Sequence, residues 1–258
     1  MKLKWLLSLF CVFALTFVRA QDGFLLPDEF FLSRGQGLNV HLFLGDAFKN
    51  LKDISYQASK TTTFRIIDGG KNSDLKPVLK NGSIPVVNRK MENSGLVMIA
   101  MERDSSNSET EQSKFIEKLQ NTGMDAVIPV IETSAKTVLK ETSASYQKTL
   151  LTVDKPSGRL YGEKLGQELE IILLQNPYKM QYGDDIEAEV LFKGKPLNRA
   201  FVTVLTRGLN GSIFSSTYRS DDQGKVYFKL NRTGCWLIDV VHMLPSENKT
   251  KQINKTNI

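Results

Sequence analysis

Short β-type runs, separated by turn residues at near-even spacing, fill residues 169–243. This cadence constrains the fold more than any other feature of the chain. Leu169-Glu170-Ile171-Ile172-Leu173-Leu174 reads as a strand ended by Pro177, which cannot donate to a sheet ladder and holds the residue before it extended. Over residues 184–192 the alternation is strict. Ile186, Ala188, Val190 and Phe192 share one face and Asp185, Glu187 and Glu189 the other, the pattern of a half-buried antiparallel strand. Gly194-Lys195-Pro196 reads as a tight turn, and Asp221-Asp222-Gln223-Gly224 puts a glycine where a turn needs positive φ. Further strands are expected over residues 200–206, 213–219, 225–230 and 235–243. Strands this short and regular argue for an immunoglobulin-like or transthyretin-like β-sandwich over residues 166–244.

The first half is β-rich as well. Residues 38–44 alternate, with Leu38, Val40, Leu42 and Leu44 on one face and Asn39, His41 and Phe43 on the other. Residues 62–67 are rich in β-branched side chains and stop at Asp68-Gly69-Gly70. Residues 95–102 are apolar on both faces, which predicts a strand covered on both sides. Residues 104–113 are polar and Ser-rich and read as a loop. Phe115, Ile116 and Leu119 make one apolar face of a helix over residues 114–122, with Gly123 as the residue that reverses the chain. A second, weaker helix is expected within residues 131–147. The reading is therefore mainly β: a β-rich domain over residues 21–165 with a helical insertion around 112–147, the sandwich over 166–244, and a polar, disordered tail over 245–258.

The compartment is set by residues 1–20. Lys2 and Lys4 precede a short apolar run, and Val18-Arg19-Ala20 offers small residues for cleavage, which predicts a secretory signal peptide. The run is shorter than the ~20 residues of a membrane span, so no transmembrane anchor is expected after cleavage. Cys11 lies within the apolar run without a convincing lipobox. Removing Lys2, Lys4 and Arg19 lowers the net charge from +6 to +3, with both signs interspersed. No basic stripe with aromatics is present, so nucleic acid is not an expected partner. Cys235 then stands alone, so an internal disulfide is not expected and the fold must rest on its apolar core.

Catalytic signatures are absent: no Gly-x-Ser-x-Gly, His-Glu-x-x-His, P-loop or dinucleotide fingerprint occurs, and an enzyme is not expected. The two histidines are the candidate metal ligands. His242 shares a strand face with Trp236, Ile238 and Val240, and is open to two readings: a core histidine with backbone partners, or a ligand. His41, opposite an apolar face, is a surface histidine or a weaker ligand. Cys235 reads as an inert buried thiol or a soft ligand.

Several segments resemble a family of exported bacterial proteins with a domain of unknown function, described by analogy as periplasmic components of nickel or cobalt uptake. They are Phe24-Leu25-Leu26-Pro27-Asp28, Leu169-Glu170-Ile171, Gln175-Asn176-Pro177-Tyr178, Gly183-Asp184, Val190-Leu191-Phe192-Lys193-Gly194-Lys195-Pro196-Leu197, and Trp236 with Val241-His242-Met243. The resemblance implies a periplasmic or cell-surface binding protein. It would hold a divalent transition metal such as Ni or Co, or a small cargo, and work with a membrane transport component or outer-membrane receptor. Two departures are visible. Gln21-Asp22-Gly23-Phe24 has no histidine where the family places one near the mature amino terminus, and the aromatic strand expected after Met243 is not evident. The alternative reading is a structural or adhesive protein–protein module at the cell surface.

Overall fold

The computed structural model describes residues 22–46, 48–244 and 251–257. The signal peptide expected over residues 1–20, with Cys11, and residues 245–250 of the expected tail lie outside the described residues. The protein is mainly β. Strands β1 (Asp22–Pro27), β2 (Phe31–Leu32), β3 (Gly37–Asp46), β4 (Lys49–Ile54), β5 (Thr61–Asp68), β6 (Lys71–Asp74) and β7 (Val87–Lys90) come first. β8 (Gly95–Glu111) leads into helices α1 (Gln112–Asn121) and α2 (Ile128–Glu132), and β9 (Val138–Val153) returns antiparallel to β8. Then follow β10 (Leu169–Leu173), β11 (Asp185–Phe192), β12 (Lys195–Pro196), β13 (Phe201–Gly208), β14 (Ile213–Arg219), β15 (Lys225–Lys229), β16 (Gly234–Leu244) and β17 (Lys251–Asn257).

Three sheets result among the described residues. β1, β3, β4 and β7 form one, and β10, β11, β12 and β15 a second. The third runs in the order β14-β13-β16-β17-β9-β8-β5-β6, with β2 alongside β9. This large sheet is the middle layer, because β8 serves two cores. Val97, Ile99 and Met101 pack with Leu38, Val40 and Leu42 of β3, whereas Leu96 and Met98 pack with Leu169, Ile171 and Val190 of the second sheet. The doubly apolar pattern of residues 95–102 is thereby accounted for: each face meets a different sheet. In the second half, Ile171, Ala188 and Val190 oppose Val202, Val204, Ile238 and Val240, and this is the sandwich that the strand cadence predicted. Burying each such side chain contributes about 1.5–3 kcal/mol. Register in β11 is correspondingly strict, since a slip of one residue would turn Asp185, Glu187 and Glu189 inward.

Residues from both halves share these cores. Tyr146 and Leu150 of β9 belong to the sandwich core, and Phe24 and Leu26 of β1 meet Leu205 and Leu237 of β13 and β16. Gly166 lies in the connection that carries the chain from β9 to β10.

The structure corrects three expectations. Residues 104–111 are not a loop but continue β8, paired with β9 through to Glu111–Val138 after a register shift between Arg103 and Ser106. A polar ribbon satisfies its backbone by cross-strand bonds and needs no apolar face to do so. The helical insertion does not extend to 147: α2 ends at Glu132, and β9 starts at Val138. The helix over 114–122 does form, with Phe115 and Leu119 fully buried and Gly123 reversing the chain at φ 66°. Finally, the tail is not disordered throughout: a strand does follow Met243, although it carries none of the aromatic residues expected there. β17 pairs antiparallel with β16 and parallel with β9, because two open edges offer hydrogen-bond partners that strand propensity does not count.

Candidate functional site

Two of the family-like segments, Leu169-Glu170-Ile171 and Gln175-Asn176-Pro177-Tyr178, meet at the junction between the halves. Glu170 on β10 receives Lys148 Nζ of β9 at 2.5 Å, with side chains 2% and 1% exposed. Its two oxygens also accept the backbone N–H of Leu165 at 2.7 Å and of Gly166 at 3.1 Å, and Lys148 donates further to the Ile171 carbonyl. Burial pulls the Lys148 ammonium below the usual lysine range, and Glu170 opposes that pull. The Asn-Pro-Tyr turn closes the junction from the other side. Asn176 donates to the Pro156 carbonyl at 3.0 Å and accepts from the Tyr178 N–H, and the Tyr178 hydroxyl donates to the Leu150 carbonyl at 2.6 Å. Gln175 accepts the N–H of Glu187 at 2.6 Å. These residues do architectural work, a role that a linear motif could not show, because their partners lie 12–28 positions away.

His242 sits on β16 as expected, on the face carried by Ile238 and Val240. Its ring packs against Phe192 with centroids 4.6 Å apart. Burial lowers its pKa below the ordinary imidazole value, and the nearby Glu168 carboxylate acts in the opposite direction. Glu168 is itself engaged, accepting from the Tyr146 hydroxyl at 2.9 Å and facing Lys193 Nζ at 3.3 Å. Burial and that bond hold the Tyr146 phenol well above its usual range. The surroundings of His242 thus supply one carboxylate that already has two partners, a poor metal set.

His41 is better furnished. Its Nδ1 lies 2.6 Å from Asp53 Oδ2 of β4 and its Nε2 lies 3.4 Å from Asp28 Oδ1, while Phe43 stacks beside the ring. Asn39 donates to the other Asp28 oxygen. Asp28 belongs to the Phe-Leu-Leu-Pro-Asp segment, so alternation along β3 and the β1 turn bring two sequence-distant residues together. The structure does not bring the two histidines into one site: they share no partner. Among the described residues no group of three or more His, Cys, Asp or Glu side chains is placed to hold a metal ion. Cys235 is half-buried, and burial pushes its thiol up to about 11, so it carries little thiolate at neutral pH.

A feature that the residue search did not single out is the outer edge of β14. This strand ends the large sheet, pairing only with β13 among the described residues, in unbroken register from Phe201–Arg219 to Arg207–Ile213. Phe214, Ser215, Ser216 and Thr217 are exposed. Phe214, Ser216, Tyr218 and Trp236 line a shallow hollow beside that edge together with the basic side chains of Lys229 and Arg232, and the Arg232 guanidinium lies 4.0 Å from the Phe214 ring centre. At the far end Arg219, the one charged residue of the strand itself, is turned back onto the Gly123 and Arg199 carbonyls. The regular spacing of strands and turns that located this strand says nothing about whether a neighbour lies on each side.

No helix among the described residues is long and apolar enough to cross a membrane. No curated protein matches the chain. Among solved structures, the D0-D1 domain of intimin superposes with a TM-score of 0.22 at 12% identity, over 92% of this chain and 97% of that one. A tetra-tandem repeat from the extending region of a large adhesion protein gives 0.21 at 8% identity, over 93% of this chain and 49% of that one. Superpositions this loose support no inference from either protein. The family comparison is different in kind: the model described as "Domain of unknown function (DUF4198)" matches residues 18–244, nearly the whole chain, and the chain belongs to that family.

Proposed function

We propose that the chain is an exported, non-enzymatic binding module that engages its partner by strand addition to the β14 edge. The observation that supports this reading is an exposed, regular edge, uncharged from Ile213 to Tyr218, beside a hollow lined by both aromatic and basic side chains. Strand addition needs those two parts: main-chain groups for affinity and a recess for alternate side chains. A photo-crosslinking residue at Thr217 tests the reading in the native host, with one at Asn72 on the β6 edge as control. The reading predicts a discrete adduct from Thr217 only. Equal adducts at both positions, or none at Thr217, would count against it.

A second reading is favoured by His41, and it keeps the nickel- or cobalt-type role in an uptake system. Asp53 orients Nδ1, as a carboxylate does behind a metal-bound imidazole, and leaves Nε2 facing the solvent-accessible Asp28. One imidazole and one carboxylate suit Ni²⁺ or Co²⁺ with water completing the shell. Calorimetry with Ni²⁺ should show binding that His41→Ala abolishes and Asp53→Asn weakens by about 10–100-fold. Heat unchanged by either substitution, or lost only with His242→Ala, would contradict it.

A further inference from the structure

We infer that the occupant of the β14 edge is a second copy of this chain, joined through antiparallel β14–β14 pairing about a two-fold axis at Ser216. This deepens the strand-addition reading and rests on it.

The first argument is a comparison of edges. Long, flat, uncharged sheet edges promote unwanted pairing, and proteins blunt them with charge, bulges, shortness or cover. The other edges among the described residues carry such devices. β6 is four residues with Lys71 and Asp74; β4 carries Lys49 and Lys52 and a register break against β3; β7 carries Arg89 and Lys90. β15 has a lysine at each end, β10 is buried along its whole length, and β1, although uncharged from Gly23 to Pro27 and in unbroken register with β3, is buried from Phe24 to Pro27. Only β14 offers six consecutive uncharged residues in unbroken register. An edge left so open is accounted for if it is covered in the working state of the protein.

The second argument is self-complementarity. When Ile213-Phe214-Ser215-Ser216-Thr217-Tyr218-Arg219 is laid antiparallel on itself about Ser216, Phe214 meets Tyr218 of the other copy, Ser215 meets Thr217, and Ser216 meets Ser216. Aromatic faces aromatic and hydroxyl faces hydroxyl, pairings that favour cross-strand association, and Arg219 faces Ile213 rather than a like charge. A two-fold contact of this kind uses both edges, so assembly stops at two copies. That closure explains how an unguarded edge avoids open-ended aggregation.

Analytical ultracentrifugation of the purified protein over a concentration series tests the inference, with Ser216→Lys placing two ammonium groups opposite each other on the axis and Asn72→Lys as the charge-matched control. Both sites are exposed, so the fold should survive, as circular dichroism would verify. The expected result is a wild-type dimer whose dissociation constant rises at least about tenfold in Ser216→Lys and is unchanged in Asn72→Lys. A wild type that stays monomeric, or a dimer indifferent to Ser216→Lys, overturns it. The Thr217 crosslinking experiment separates the two levels: an adduct with a different protein from a monomeric wild type leaves strand addition standing and removes the second copy. No adduct removes both.

Discussion

Lys148 and Glu170 show how much one buried pair can decide. A Lys–Glu pair taken out of water gains little net stability, but deleting one partner strands the other charge in the interior. Lys148→Met is therefore expected to lower unfolding free energy by about 3–5 kcal/mol, and Lys148→Met with Glu170→Gln to recover part of that loss, as measured by urea titration. A loss under about 1 kcal/mol would show that the pair is not buried as described. His242 contributes a pH dependence of definite sign. Its folded-state pKa lies below the unfolded value of about 6.5, so acid favours the unfolded chain, which takes up the proton more readily. This contribution is fully present above about pH 6.5 and is lost as the pH falls through the folded-state value. His242→Phe should flatten the thermal-stability profile on the acid side of about pH 6.5, and an unchanged slope would contradict the assignment. Gly224 was legible from its turn: it sits at φ 74°, and a Cβ there would lie 2.7 Å from the Val190 carbonyl oxygen. Gly224→Ala should cost about 1–3 kcal/mol in the same titration. His41 was less legible. Alternation set its face, but only folding shows that Asp28 and Asp53 lie on either side of its ring.

Among the elements, those with an apolar period were readable and those without one were not. β11 was found from alternation and α1 from Phe115 and Leu119, because each buries one face, whereas β14, which buries no residue, was placed by the spacing of the turns around it. The outer halves of β8 and β9 escaped. Their residues are mostly polar, and what holds them is a ladder of cross-strand bonds from Ser106–Ser143 to Glu111–Val138, with Leu139 alone reaching the apolar cluster of Phe115, Leu119 and Ile131. β17 escaped for a related reason: lysine and asparagine disfavour strands, yet the segment fills the gap between β16 and β9. Truncation after Leu244 should therefore expose the facing edges of β9 and β16. Hydrogen exchange should speed up at residues 142–147 and 239–244, and unchanged exchange there would remove β17 from the sheet.

For the whole molecule, the partition of roles matters more than the two sequence halves. The segments that resemble the family lock the halves together through Glu170, Asn176 and Tyr178. The candidate interaction surface lies elsewhere, on a strand edge whose own residues belong to none of those segments, with Trp236 in the hollow beside it the one residue they share. Sequence reading located the lock because its residues are chemically distinctive. It missed the edge because openness belongs to the assembled sheet and not to any side chain. Hydrogen exchange of the β14 amides as a function of protein concentration tests the central claim most directly. If two copies pair there, the alternate amides within residues 214–218 that point away from β13 should exchange freely at high dilution and become protected as concentration rises, with β6 as an unchanging reference. Equal exchange of β14 at every concentration would contradict self-pairing at this edge.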